Sequence, residues 1–259
     1  MAVSKFGDLC KFIRPTKCRN YITLLLPLIE EMIKNGSELL QQTLSLSVEK
    51  IFDVLIYYLK EVEVQNVINL CIQNFSNVVA GIRRSASDII VTICNLYPRA
   101  VFNYVILQIK LESFLKEEIE VTKLQGVLYN LSKMVKLSDH LSKKKLDPKN
   151  PMIEFVPLLL EVILKYIEHP NHNVVNSSLE LLTNLLISFG DKSLHRAWFK
   201  KQSPIQDDSH QSGEQELNIV PHYDEEIIVD LQIIQLTISK LEALLKDQNS
   251  RTGEKNFFF

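Results

Sequence analysis

The sequence predicts an all-α protein, a solenoid of stacked helical hairpins, and three observations support this prediction. An apolar stripe typical of one helix face recurs four times, a second apolar segment precedes each stripe, and glycine is scarce, with 7 residues in 259. Within each stripe the spacings are four, three and four residues, which places the side chains on one side of an α-helix. The four stripes are Leu44/Val48/Ile51/Leu55, Ile82/Ala86/Ile89/Ile93, Leu124/Leu128/Leu131/Val135 and Val175/Leu179/Leu182/Leu186.

The spacing of the stripes defines a repeat. They begin about 38, 42 and 51 residues apart, near the period of known two-helix repeats. Each preceding segment is long enough for a partner helix, and these segments cover about 21–33, 62–75, 100–118 and 152–167. One hairpin of this size cannot cover its own apolar face, so neighbouring hairpins stack and share an elongated core. Such an array offers surface, which favours binding over catalysis.

The domain organisation follows from composition along the chain. Polar, proline-containing stretches interrupt the apolar periodicity once within the array and once after it. A later run from Ile227 to Leu245 again has the spacing of a helix face. We predict a helical-repeat array at 1–200 with an inter-repeat loop at 138–151, a flexible polar linker at 201–222, a terminal helix at 223–247 and a frayed tail at 248–259.

The beginning of the chain and two prolines carry further local predictions. Phe6, Leu9, Phe12 and Ile13 have helical spacing and indicate the second helix of a hairpin, so we expect the array to begin within a repeat. Two first helices share a pattern of Pro, Leu, Glu and Ile, in 27–33 and 157–163. Because a proline inside a helix removes a hydrogen bond, each of these prolines predicts a kink or a late helix start.

The totals exclude several classes of protein. With 29 basic and 31 acidic residues the formal net charge is −2, too small for the positive field of a nucleic-acid-binding protein. No apolar run reaches the 18 or so residues that span a bilayer, so we expect no membrane insertion. The four cysteines lack CxxC spacing and follow no secretory signal, which predicts reduced thiols and a cytoplasmic protein. They are Cys10, Cys18, Cys71 and Cys94.

No catalytic, cofactor-binding or metal-binding constellation is recognisable, so we predict a protein that is not an enzyme. There is no G-x-S-x-G motif and no glycine-rich phosphate loop, and the six histidines lie mostly in predicted loops. His169 and His172 could supply two metal ligands, but no third ligand is near. We favour a turn in which Asn171 or Asn173 caps the following helix while the imidazoles bond the backbone.

Arg83 and Arg84 precede Ser85 and Ser87 in the manner of a basophilic kinase site. Both serines lie on a predicted repeat helix. We favour arginines that cap the helix, pair with acidic neighbours or lie over apolar surface between repeats.

Three other features have both a structural and a functional interpretation. The lysines at 143–145, with Lys149, fit a solvated loop or a nuclear-import patch. Trp198 with Phe199 fits closure of the core or a partner anchor. Gly126, in the third stripe, predicts close approach of a neighbouring helix, because glycine otherwise costs a helix about 1 kcal/mol relative to alanine.

The local sequences also resemble a known family. The period near forty residues, the Ile82-Arg83-Arg84-Ser85-Ala86 pattern and the proline-bearing first helices resemble HEAT repeats. Over about 1–190 the chain is similar to the amino-terminal HEAT domain of the huntingtin family, in an invertebrate version and as a fragment. The matching segments are Phe6 to Pro27, Gln41 to Ile51, Ile82 to Cys94 and His169-Pro-Asn-His172-Asn173-Val174-Val175-Asn-Ser-Ser-Leu179-Glu180-Leu181-Leu182.

This resemblance implies a HEAT-repeat scaffold that organises protein interactions in vesicle transport and autophagy. The partners it implies are motor adaptors, a helical-repeat protein and other huntingtin domains, with nuclear as well as cytoplasmic location. We expect the helix surfaces and the loops at 138–151 and 201–222 to contact partners. The alternative hypothesis is a free-standing HEAT adaptor resembling a transport-receptor module.

Overall fold

A computed structural model of the chain describes residues 5, 8–143, 152–189 and 236–243. Regular structure among these residues is helical, without a β-strand. In chain order the helices are α1 Cys18–Asn35, α2 Glu38–Leu55, α3 Glu61–Gln73, α4 Ala80–Leu96, α5 Pro98–Ile109, α6 Leu111–Lys116, α7 Val121–Lys143, α8 Val156–Tyr166 and α9 His172–Phe189. Residues 236–243 are also helical.

The helices pack in two layers, which confirms the predicted all-α solenoid. Layer A contains the first helices of the hairpins (α1, α3, α5, α6 and α8), and layer B contains the second helices (α2, α4, α7 and α9). Along layer B, α2 packs on α4, α4 on α7, and α7 on α9. Along layer A, α1 packs on α3, α3 on α5, and α6 on α8. One hydrophobic core runs between the layers from Cys10 to Phe189.

Side chains at the helix starts explain where two of the helices begin. The Ser37 hydroxyl accepts a hydrogen bond from the Leu40 N–H at 3.4 Å and caps α2. Before α3, the Glu63 carboxylate accepts a 2.7 Å hydrogen bond from the Lys60 N–H, as the acidic residue of a capping box does.

Three of the four predicted stripes are buried, and the fourth is displaced by one residue. Every member of the stripes on α2, α4 and α7 lies in the core. On α9, Leu182 is buried but Leu186 is 43% exposed, so the predicted stripe there is wrong. The buried face of α9 contains Val174, Ser178, Leu181, Leu182, Leu185 and Phe189. Two apolar stripes lie side by side on α9, and among the described residues no further layer B helix covers the one that includes Leu186.

The third first helix, predicted at 100–118, is two helices. Lys110 adopts a left-handed conformation with φ 55° and separates α5 from α6. The break has a packing reason, because α5 lies against α3 and α7 whereas α6 lies against α8. The spacing of apolar residues in the sequence does not predict this break.

The predicted loop at 138–151 begins too early. Helix α7 continues through Lys143, because Leu141 is buried in the core and an ion pair between Lys143 and Asp139 supports the last turn. Ser138 is also buried, and its hydroxyl donates to the Val135 carbonyl at 2.7 Å. Residues 144–151 lie outside the described residues.

The predicted helix face at the beginning of the chain is also wrong. Leu9 and Phe12 are exposed, the latter by 83%, whereas Cys10 is fully buried. The helical segment at 8–10 packs through Cys10, and an ion pair joins its Asp8 to Lys50 on α2 at 2.8 Å. Phe12 follows in a turn, so the spacing from Leu9 no longer describes one helix face.

One of the two prolines confirms the predicted late helix start, and the other lies inside a helix. Pro27 lies inside α1, where a hydrogen bond of the helix is lost, whereas Pro157 lies in the first turn of α8. The shared sequence pattern therefore occupies different positions in its two helices.

Gly126 permits a close approach, as predicted, and the neighbour is a short 3-10 helix rather than a long α-helix. A Cβ atom at this position would lie 2.6 Å from the Phe75 carbonyl oxygen and 2.9 Å from its Cα. Phe75 belongs to the short 3-10 helix Asn74–Ser76 that follows α3. Because the backbones of Gly126 and Phe75 are in contact, there is no room for a side chain at position 126.

The described part of the terminal helix contacts the array. Lys240 donates hydrogen bonds to the Leu164 carbonyl at 3.1 Å and to the Glu168 carboxylate at 3.0 Å. Leu241 packs against the core, whereas Ile238 is largely exposed. The predictions on 201–222, 248–259, Trp198 and Phe199 fall outside the described residues.

Candidate protein interaction surfaces

Polar side chains join neighbouring helices of layer B, and they fix the spacing between repeats. Between α4 and α7, the Ser87 hydroxyl donates to Asn130 Oδ1 at 3.1 Å, and an ion pair joins Lys133 to Asp88. The other pairs are Arg83 with Gln125 at 3.0 Å and, between α7 and α9, Asn184 with Ser132 at 2.7 Å. Because buried polar atoms require partners, these pairs favour one alignment of adjacent helices.

Layer A is joined by contacts at helix ends. The Arg19 guanidinium on α1 donates to both carboxylate oxygens of Glu63 on α3, at 2.7 and 2.6 Å. This hydrogen-bonded pair lowers the pKa of Glu63 to about 2. On α8, the Lys165 ammonium donates to the Phe114 carbonyl at 2.6 Å and the Tyr166 hydroxyl to the same oxygen at 2.8 Å. Both partners stabilise the carboxyl end of α6.

The exposed face of layer B carries charges of both signs. Glu49, Arg84, Lys136 and Glu180 are exposed on its four helices. On α2 this face also exposes Leu39 by 74% and Leu46. A mixed surface of this type fits polar protein partners better than a polyanion.

A second surface lies on α1, and we call it the α1 surface. Tyr21, Leu24 and Leu28 are spaced three and four residues apart and are 45%, 67% and 58% exposed. They lie opposite the buried face that contains Ile22, Leu26, Ile29 and Ile33. Sequence reasoning missed this surface because α1 is apolar on most sides, and periodicity could not say which leucines face solvent.

Basic residues lie at the amino end of α1, and we call them the basic cluster. Lys11, Arg14 and Lys17 are exposed. They form no salt bridge with another residue of the described chain. Lys17 is the residue before α1, where the partial positive charge of the helix dipole adds to theirs.

His169 and Asn171 have the favoured structural roles in the turn before α9. His169 Nδ1 accepts a hydrogen bond from the Asn171 N–H at 3.1 Å, and the Asn171 side chain accepts from the Asn173 N–H at 3.0 Å. Asn171 thus holds the turn into α9. Within the described ranges no group of three His, Cys, Asp or Glu side chains could hold a metal ion.

Ser85 and Ser87 are buried in α4, which agrees with the packing interpretation of this motif. Arg83 donates to the Asn77 carbonyl at 2.6 Å before α4 and to Gln125 on α7. This arginine therefore holds the loop before α4 and links two repeats, but it does not cap the helix. A kinase could reach neither serine without unfolding α4.

The four cysteines are free and buried. Burial raises the pKa of the Cys71 and Cys94 thiols and raises that of Cys10 to about 11. Thiols in this state pack as small apolar side chains and are unreactive.

No helix in the described part of the chain combines the length and apolar character that a bilayer span requires.

Paired helices with one shared core and a repeating register define this chain as a HEAT-type α-solenoid. Comparisons with known proteins then assign the family. Residues 1–98 match the family model described as Huntingtin, N-terminal HEAT 1. The chain belongs to the huntingtin family.

Two curated relatives support this assignment. The HD protein homolog of Dictyostelium discoideum is 36% identical over 219 residues, and Huntingtin of Takifugu rubripes is 29% identical over 209 residues. These matches cover 73% and 75% of the chain, respectively. The chain spans 7% of the length of each relative.

Proposed function

We propose that this chain is a non-enzymatic HEAT-repeat scaffold that organises protein interactions in vesicle transport and autophagy. The observation that carries the proposal is the continuous two-layer array, in which side-chain pairs hold successive repeats in register. A solenoid of this kind presents an extended and rigid surface to its partners. A role in binding agrees with three features of the chain. Ser85 and Ser87 are buried, the four cysteines are buried thiols, and His169 holds a turn.

The proposed partners are motor adaptors, a helical-repeat protein and further domains of a huntingtin-like protein. Membership of the huntingtin family supports this choice. The proposed location is the cytoplasm, with a second population in the nucleus.

Proximity labelling tests the proposal. The protein that contains this chain is tagged with a labelling enzyme at its native locus, and labelled proteins are identified by mass spectrometry. We expect motor adaptors and autophagy receptors to be enriched over a cytoplasmic enzyme control, and vesicle velocity to fall when the protein is depleted. Labelling restricted to nuclear-pore proteins and a small GTPase would contradict this function and favour the transport-receptor alternative.

A further inference from the structure

We draw no further inference here: the strongest candidate, the α1 surface with the basic cluster beside it, lies at the edge of the described array, and nothing in the described part of the chain shows what covers it.

Discussion

Layers A and B hold the repeats together by different contacts. The layer B helices lie side by side with buried apolar stripes, and polar side-chain pairs such as Ser87 with Asn130 join α4 to α7 and α7 to α9. In layer A the third helix is broken at Lys110, and α8 contacts α6 through the carbonyls at a helix end. Layer B therefore carries the continuity of the array, and layer A adapts to it. We expect substitutions in layer B to cost more stability than those in layer A.

The largest expected effect is in the core of layer B. Leu182→Asp places an unpaired charge where a leucine is 3% exposed between α9 and α7, and it should lower the free energy of unfolding by about 4 kcal/mol. Urea denaturation followed by circular dichroism measures this loss. Leu186→Asp, on the same helix but at a 43% exposed position, is the matched control and should cost less than about 1 kcal/mol. Equal losses for the two variants would contradict the assigned face of α9.

A second effect comes from backbone contact. Gly126→Ala should lower stability by about 2 kcal/mol despite the better helix propensity of alanine, because the new Cβ would meet the Phe75 backbone. Gly81→Ala is the control, since its Cβ would meet the flexible Glu38 side chain, which can move. We expect that variant to be neutral or more stable. Thermal unfolding measures the stability of both variants. A Gly126→Ala variant that is more stable than the unaltered protein would show that Phe75 can move.

A third effect tests the polar pairs of layer B. Ser87→Ala leaves the buried Asn130 oxygen without its donor and should cost about 1.5 kcal/mol. Ser45→Ala is the control, because the Ser45 hydroxyl bonds the Gln42 carbonyl within its own exposed turn. Urea midpoints compare the two variants. No loss in Ser87→Ala would mean that the pair does not contribute to repeat register.

The smallest effect is in layer A and depends on pH. The pKa of Glu63 lies near 2 because Arg19 bonds its carboxylate, below the ordinary value of 4.5. Its contribution is therefore complete above about pH 4.5 and is lost as the pH falls towards 2. Glu63→Gln should cost about 1 kcal/mol at pH 7, and the difference from the unaltered protein should shrink at pH 3.

Urea titrations at pH 7, 5 and 3 measure the Glu63 contribution. Glu61→Gln is the control on the same helix, since that carboxylate bonds the neighbouring Gln65 four residues on. A difference that grows on acidification would contradict the assigned Arg19 and Glu63 pair.

Sequence patterns predicted the features that repeat along the chain. They did not predict features that depend on which helix packs beside a residue. Three stripes, the hairpin order and the capping role of Asn171 could be predicted because each depends on spacing within one helix or turn. The break at Lys110 and the exposure of Leu24 could not be predicted. Both depend on which helix lies alongside, and an apolar helix offers several faces with similar hydrophobicity.

The sequence by itself determined the α-helical class, the period of the repeat and the huntingtin-family membership, because periodicity and motif are local properties of the chain. Only the tertiary structure decided which stripe of α9 is buried, where α7 ends and which apolar residues of α1 are exposed. The physical reason is that burial is a property of pairs of surfaces. An apolar face becomes core where a neighbouring helix covers it, and it remains exposed where none does.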